Sequence, residues 1–171
     1  MANSTPTRPA SAIELVVVHH SAANDEHTDL KELMAERQHR NEGYNAIVDD
    51  DAGNLDPRKR RDGIAEWVQD APDMVISNGT YGVNAKAWNI CIDGNFELND
   101  PTPDEVETLI QVIAAKVRSW GWTKADVWRI IGHRDAGAKY SRTPYVTACP
   151  GRNLYKLLPY IRQRVAAYLP A

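Results

Sequence analysis

Two histidines stand side by side, His19 and His20, at the end of an apolar run. A third, His133, lies in Gly132-His133-Arg134-Asp135, and a cysteine, Cys149, in Thr147-Ala148-Cys149-Pro150-Gly151. Imidazole nitrogen and thiolate sulfur are donors that zinc takes readily, and a catalytic zinc uses three protein ligands so that a fourth position holds water. The chemistry of such a site is hydrolytic, because the pKa of that water falls toward about 7 and a carbonyl beside the ion is polarised. These donors are far apart in sequence, so spacing alone leaves structural histidines and an inert thiol open. Adjacent strand residues face opposite sides, so only one of His19 and His20 can point at a common ion, and alternation does not say which. His27, in a polar stretch, and His39, among mixed neighbours, read as local or exposed residues. Cys91, in Asn89-Ile90-Cys91-Ile92-Asp93, has the surroundings of a small buried thiol. Pro and Gly beside Cys149 place it in a loop instead, where side chains are more readily recruited for chemistry.

Positioning these side chains falls to the elements around them. Val and Ile in the run 13–18 predict a strand buried on both faces that delivers His19 and His20 at its carboxyl end. Asp29 and Glu32 have capping-box spacing for a helix reaching about residue 40. Short strands are predicted over 44–48, 64–68 and 88–92, the last after a long loop, 71–84, of the kind that is often functional. Thr102-Pro103-Asp104-Glu105 combines an N-cap, a Pro at the first helical position and a capping Glu. Val106, Leu109, Ile110, Ile113, Val117 and Trp120 follow at helical spacing until Gly121. A last strand over 127–131 runs into His133. A final helix over 153–168 carries Leu154, Leu157, Leu158, Ile161 and Val165, with a kink expected at Pro159. This order predicts one α/β domain: a central mixed sheet flanked by helices on its faces, with the histidines at strand ends, where open α/β sheets carry their sites. Residues 1–12, rich in Ser, Thr and Pro, are expected to form a flexible segment ahead of a catalytic domain over 13–171.

The 171 residues carry 20 Lys and Arg against 23 Asp and Glu, a formal net charge of −3, which gives no strong field to draw in nucleic acid. No apolar run approaches the roughly 18 residues of a membrane span, and the first residues lack the apolar stretch of an export signal. The expectation is a monomer made in a cytoplasm, without stable membrane insertion, and the basic run 58–61 reads as a solvated loop.

Four blocks, taken in order, change the weight of these readings: Val16-Val17-Val18-His19-His20-Ser21-Ala22, Gly43-Tyr44-Asn45-Ala46-Ile47-Val48, Gly132-His133-Arg134-Asp135 and Thr147-Ala148-Cys149-Pro150-Gly151. The set resembles the signature blocks of the type 2 N-acetylmuramoyl-L-alanine amidases, which include phage lysozyme-like endolysins and peptidoglycan-recognition proteins. The resemblance covers nearly the whole chain from residue 13. It implies one zinc ion held by His19, His133 and Cys149, with peptidoglycan as substrate. The reaction implied is hydrolysis of the amide between N-acetylmuramic acid and the L-alanine of the stem peptide. It further implies that Tyr44 reaches toward the zinc as a catalytic residue. Thr147, where the family carries Lys or Thr, becomes a supporting hydrogen-bond donor. Asp135 either orients His133 or shapes the turn, Asp93 reads as a strand-end carboxylate, and Trp88, Tyr81 and Tyr145 either stack on substrate or pack in the core. An endolysin that reaches the wall through a holin-made lesion fits the absence of an export signal.

Two departures from the family pattern bear on the site. The stretch 134–148 between His133 and Cys149 is unusually long, which suggests an insertion over 137–146, and 77–84 lacks the histidine many members carry before the central strand. Two other classes compete with an enzyme. A module that binds peptidoglycan without cutting tends to lose the metal cysteine, which this chain keeps, and an α/β domain with structural histidines would bind no zinc.

Overall fold

The computed structural model describes residues 6–22, 43–49 and 65–171. The helix expected up to residue 40, His27, His39 and the basic run 58–61 lie outside the described residues. Within them, five strands form one sheet: β1 Leu15–His20, β2 Ala46–Asp49, β3 Glu66–Gln69, β4 Ala87–Ile92 and β5 Ile130–Gly132. The order is β3-β2-β4-β1-β5, and β1 runs parallel to β4 and β5, β2 parallel to β4 and antiparallel to β3. Helices α1 Pro103–Ser119, α2 His133–Lys139, α3 Arg152–Tyr155 and α4 Leu158–Ala167 complete the mixed α/β domain that the sequence predicts. No helix among the described residues is long and apolar enough to cross a membrane.

The alternation of β1 decides which histidine faces which layer. Val16 and Val18, with Trp88, Ile90 and Ile92 of β4 and Ile130 of β5, pack against Leu109, Ile110 and Ile113 of α1 and Ile161 and Val165 of α4. Each such side chain, fully buried, contributes about 1.5–3 kcal/mol relative to exposure, so among the described residues this face carries the bulk of the hydrophobic stabilisation. Leu15 and Val17 point the other way, into a smaller cluster with Ala87, Ile131, Val83 and Ala136. His20 therefore shares the helix-packed face of Val16 and Val18, and His19 shares the face of Leu15 and Val17, the thinner of the two among the described residues. The parallel register pairs Val17 with Asn89 and His19 with Cys91, which sets Asn89 and Cys91 on the His19 face of β4.

Helix α1 starts as its sequence dictates. Thr102 Oγ1 accepts from the Glu105 amide at 3.2 Å and Glu105 Oε2 accepts from the Thr102 amide at 2.6 Å, while Pro103 occupies the first turn. The residues expected as a strand over 127–131 divide. Lys124–Arg129 is a 3₁₀ helix capped by Thr123 and Asp126, and only Ile130–Gly132 joins the sheet. The expected final helix is also two pieces, α3 and α4, and Pro159 sits in the first turn of α4, where its missing N–H costs nothing, instead of kinking a continuous helix. Arg8 is buried, donating to the carbonyls of Asn84 and of Ala87, the first residue of the central strand β4, at 3.0 and 2.8 Å, and Thr7 forms an isolated bridge with Val75.

Candidate metal centre

His19, the last residue but one of β1, is fully buried on the thinner face. Its Nε2 lies 3.0 Å from Asn89 Oδ1 and its Nδ1 lies 3.6 Å from Cys149 Sγ. Which nitrogen carries the proton follows from a buried chain of hydrogen bonds. Asn45 Nδ2 donates to the carbonyls of Pro72 and Val75, both at 3.1 Å, and carbonyls only accept. Asn45 Oδ1 must then accept, and it does so from Ser77 Oγ and from the Asn89 amide, each at 3.0 Å. Ser77 Oγ in turn accepts from Asn89 Nδ2 at 2.9 Å, which turns Asn89 Oδ1 toward His19. Thr80 Oγ1 donates to the same Oδ1 at 2.7 Å. An amide oxygen can only accept, so His19 carries its proton on Nε2 and presents an unprotonated Nδ1 toward Cys149. Asn45, Ser77, Thr80 and Asn89 are all fully buried, which makes this orientation costly to reverse.

His133 follows β5 directly as the first residue of α2 and stands beside His19, ring centroids 4.6 Å apart. Burial, with a smaller contribution from His20, pushes its imidazole pKa down to about 4, so it is neutral near pH 7, the form a ligand requires. Cys149 is tied to the first turn of α2. The Arg134 amide donates to Cys149 O at 2.9 Å and its guanidinium to Ala148 O at 2.7 Å. Just after it, Gly151 has φ +83°, and a Cβ there would meet the Phe96 carbonyl carbon at 2.4 Å, so only glycine lets the loop turn so close to the chain behind it. The result is that His19, His133 and Cys149 each offer a ligand atom within 4.8 Å of the others, an arrangement that can hold a metal ion. Both cysteines are free thiols, and Cys91 is buried, as its sequence context predicts.

The remaining sequence candidates fall into place around this cluster. His20 points into the helix-packed core, where its Nδ1 accepts from the Phe96 amide at 3.2 Å and burial lowers its pKa. Tyr44 is buried just ahead of β2, its ring centroid 5.0 Å from that of His19. Thr147 is half-buried, and its Oγ1 accepts from the Cys149 amide at 3.2 Å. Asp135 accepts from Tyr155 Oη at 3.0 Å and pairs with Lys139 at 3.1 Å, while Asp93 accepts from Ser21 Oγ. Trp88 is core, packed edge-on against Trp120, which removes it from any role in stacking on substrate. Tyr81 is 70% exposed and meets Tyr145 edge-on at 6.2 Å, and the Tyr145 hydroxyl lies 2.8 Å from His133 Nε2. The polar residues behind His19 are absent from the sequence expectations. The one available signal was Asn89, a polar residue inside an otherwise apolar strand two places from Cys91.

Solved structures share this fold over most of both chains. N-acetylmuramoyl-L-alanine amidase LysC from Clostridium intestinale URNW aligns with a TM-score of 0.65 at 21% identity, over 91% of this chain and 89% of that one. The Ph2119 endolysin from Thermus scotoductus MAT2119 bacteriophage Ph2119 aligns at 0.63 and 15% identity, over 95% and 92%. Drosophila PGRP-LB aligns at 0.59 and 19% identity, over 84% and 78%. No curated protein matches the chain in sequence. The α/β fold is the one these solved structures share. The chain belongs to the N-acetylmuramoyl-L-alanine amidase family, whose model matches residues 9–152.

Proposed function

We propose that this chain is a zinc-dependent amidase that hydrolyses the bond between the lactyl carbonyl of N-acetylmuramic acid and the L-alanine of the stem peptide. The observation that carries this reading is the convergence of His19, His133 and Cys149, two imidazoles and one thiol, on a space small enough for one ion. The donor set suits zinc, and the tautomer that Asn89 imposes on His19 offers Nδ1 as its donor atom. Zinc held there would supply Lewis acidity and a nucleophilic water at neutral pH.

The chain's own residues do the rest. His19 and His133 would hold the ion as neutral imidazoles and Cys149 as a thiolate. Tyr44, beside His19, donates its hydroxyl hydrogen to the oxygen on which charge develops as the scissile carbonyl becomes tetrahedral. Thr147 Oγ1 already accepts from the Cys149 amide, so its own O–H is the group that donates to the same oxygen. Tyr81, exposed beside the cluster, offers a flat apolar face to sugar or peptide. Two of the similar solved proteins are an amidase and a phage endolysin, which supports a lytic enzyme acting on the wall after release from the cytoplasm.

Digestion of purified peptidoglycan with mass spectrometry of the new ends tests this. Free L-alanine amino termini with the wild type, and none with Cys149→Ala, are expected. New reducing sugar ends, or cuts within the peptide, would overturn the reading. Bound zinc with no new ends would place the chain among modules that bind peptidoglycan without cutting it.

A further inference from the structure

We propose that Tyr145 is a positioning residue for His133: its hydroxyl holds the Nε2 edge of the ring, leaving Nδ1 as the edge that meets the metal. This is what the 137–146 segment contributes to the site, and it rests on the reading of His133 as a zinc ligand.

An imidazole on a single terminal torsion has a broad, roughly two-fold preference, so a partner must choose its edge. For His19 the partner is Asn89, deep in the core. His133 is only half-buried and its candidate partner comes from the surface, with Tyr145 Oη at 2.8 Å from Nε2 and the two rings edge-on at 5.8 Å. The tyrosine is held from two sides. Its backbone amide donates to Gly137 O at 3.3 Å, and its ring lies against Gly137 itself, where an added Cβ would come within 2.7 Å of it. Gly137 is one turn beyond His133 on α2, on the same helix face, so the helix that carries the histidine also carries the notch that seats its partner. The turn before Tyr145 is closed by Ser141 Oγ, which donates to Thr143 O at 2.9 Å and accepts from its amide at 3.3 Å. The segment thus has its own local structure and ends in a fixed phenol beside His133 Nε2; with Nδ1 on the metal, Nε2 carries the proton and the phenol oxygen accepts it. Partners of this sort orient a ligand and set its tautomer, and losing one typically costs about 10–100-fold in metal affinity.

Tyr145→Phe removes the hydroxyl and keeps the ring over Gly137. Two quantities are read: zinc affinity, by competition with a chromophoric chelator, and the imidazole nitrogen shifts of His133 in metal-free protein at neutral pH, with thermal unfolding to verify the fold. The expected result is zinc binding weakened about 10–100-fold, together with a changed balance of the two His133 tautomers. Zinc affinity within about twofold of wild type, well short of that loss, overturns the proposal. If the wild type takes up no zinc, the proposed function falls, and the His133 tautomer alone decides the role of Tyr145, an unchanged tautomer overturning it. Should Tyr145→Phe not fold, Gly137→Ala serves instead, since it displaces the ring with every hydroxyl retained, and the same two results are expected of it.

Discussion

One pair of neighbours decides which imidazole faces the donor cluster. His19 and His20 are chemically identical and differ only in the face of β1 from which they project, His19 toward Cys149 and His20 toward Phe96. His19→Ala is expected to abolish zinc binding, measured as metal content of the purified protein. His20→Ala is expected to retain the metal, and instead to cost about 1–3 kcal/mol in urea unfolding, because the buried Phe96 amide loses its acceptor. Loss of zinc from His20→Ala alone would reverse the assignment. Tyr44 gives a second test at this scale. Tyr44→Phe keeps the ring beside His19 and removes one oxyanion donor, so kcat should fall about 10²–10³-fold with zinc content unchanged.

At the scale of elements, what was legible in the sequence was local. The capping box of Thr102 and Glu105 needs only four residues, and α1 starts where they place it. Thr102→Ala should cost about 1 kcal/mol in chemical denaturation and leave amidase turnover unchanged, since α1 packs on the face away from the cluster. The same kind of signal, Thr123 followed by Asp126, competes with the apolar residues Val127 to Ile131, which read as a strand, and the cap prevails over Lys124–Arg129. Asp126 accepts from the Thr123 amide at 2.9 Å, and chiefly through this bond its carboxyl is held below the usual carboxylate range. Its folded pKa is lowered, so the stabilisation it gives is complete above the ordinary carboxylate pKa and is lost as pH falls through the lowered value. The stability gap between wild type and Asp126→Asn should therefore shrink with acidification over that range in urea unfolding, and a gap that stays constant there would contradict this assignment. What the sequence could not show was the chain through Asn45, Ser77 and Asn89, whose members come from three separate segments and meet only once the sheet is assembled. Asn45 and Ser77 read locally as ordinary strand and loop residues, and only Asn89, polar within an apolar strand, stands out.

Across the whole molecule the sheet divides its labour. One face, packed on α1 and α4, holds the large apolar core, and the other bears the smaller apolar clusters, the buried polar chain and the three donors. This explains how the order of the signature blocks reveals the fold while the choice of ligand stays hidden. The blocks mark strand ends, and the choice depends on which face the distant helices cover. Asn89 holds the His19 ring and Arg134 holds the loop of Cys149. The measurement that reaches the central claim most directly is zinc-edge X-ray absorption of the purified protein loaded with one equivalent of zinc. The expected spectrum shows one sulfur at about 2.3 Å and two imidazole nitrogens at about 2.0–2.1 Å, with the sulfur lost in Cys149→Ala. A zinc with no sulfur neighbour, or a folded wild type that retains no zinc, would contradict the account.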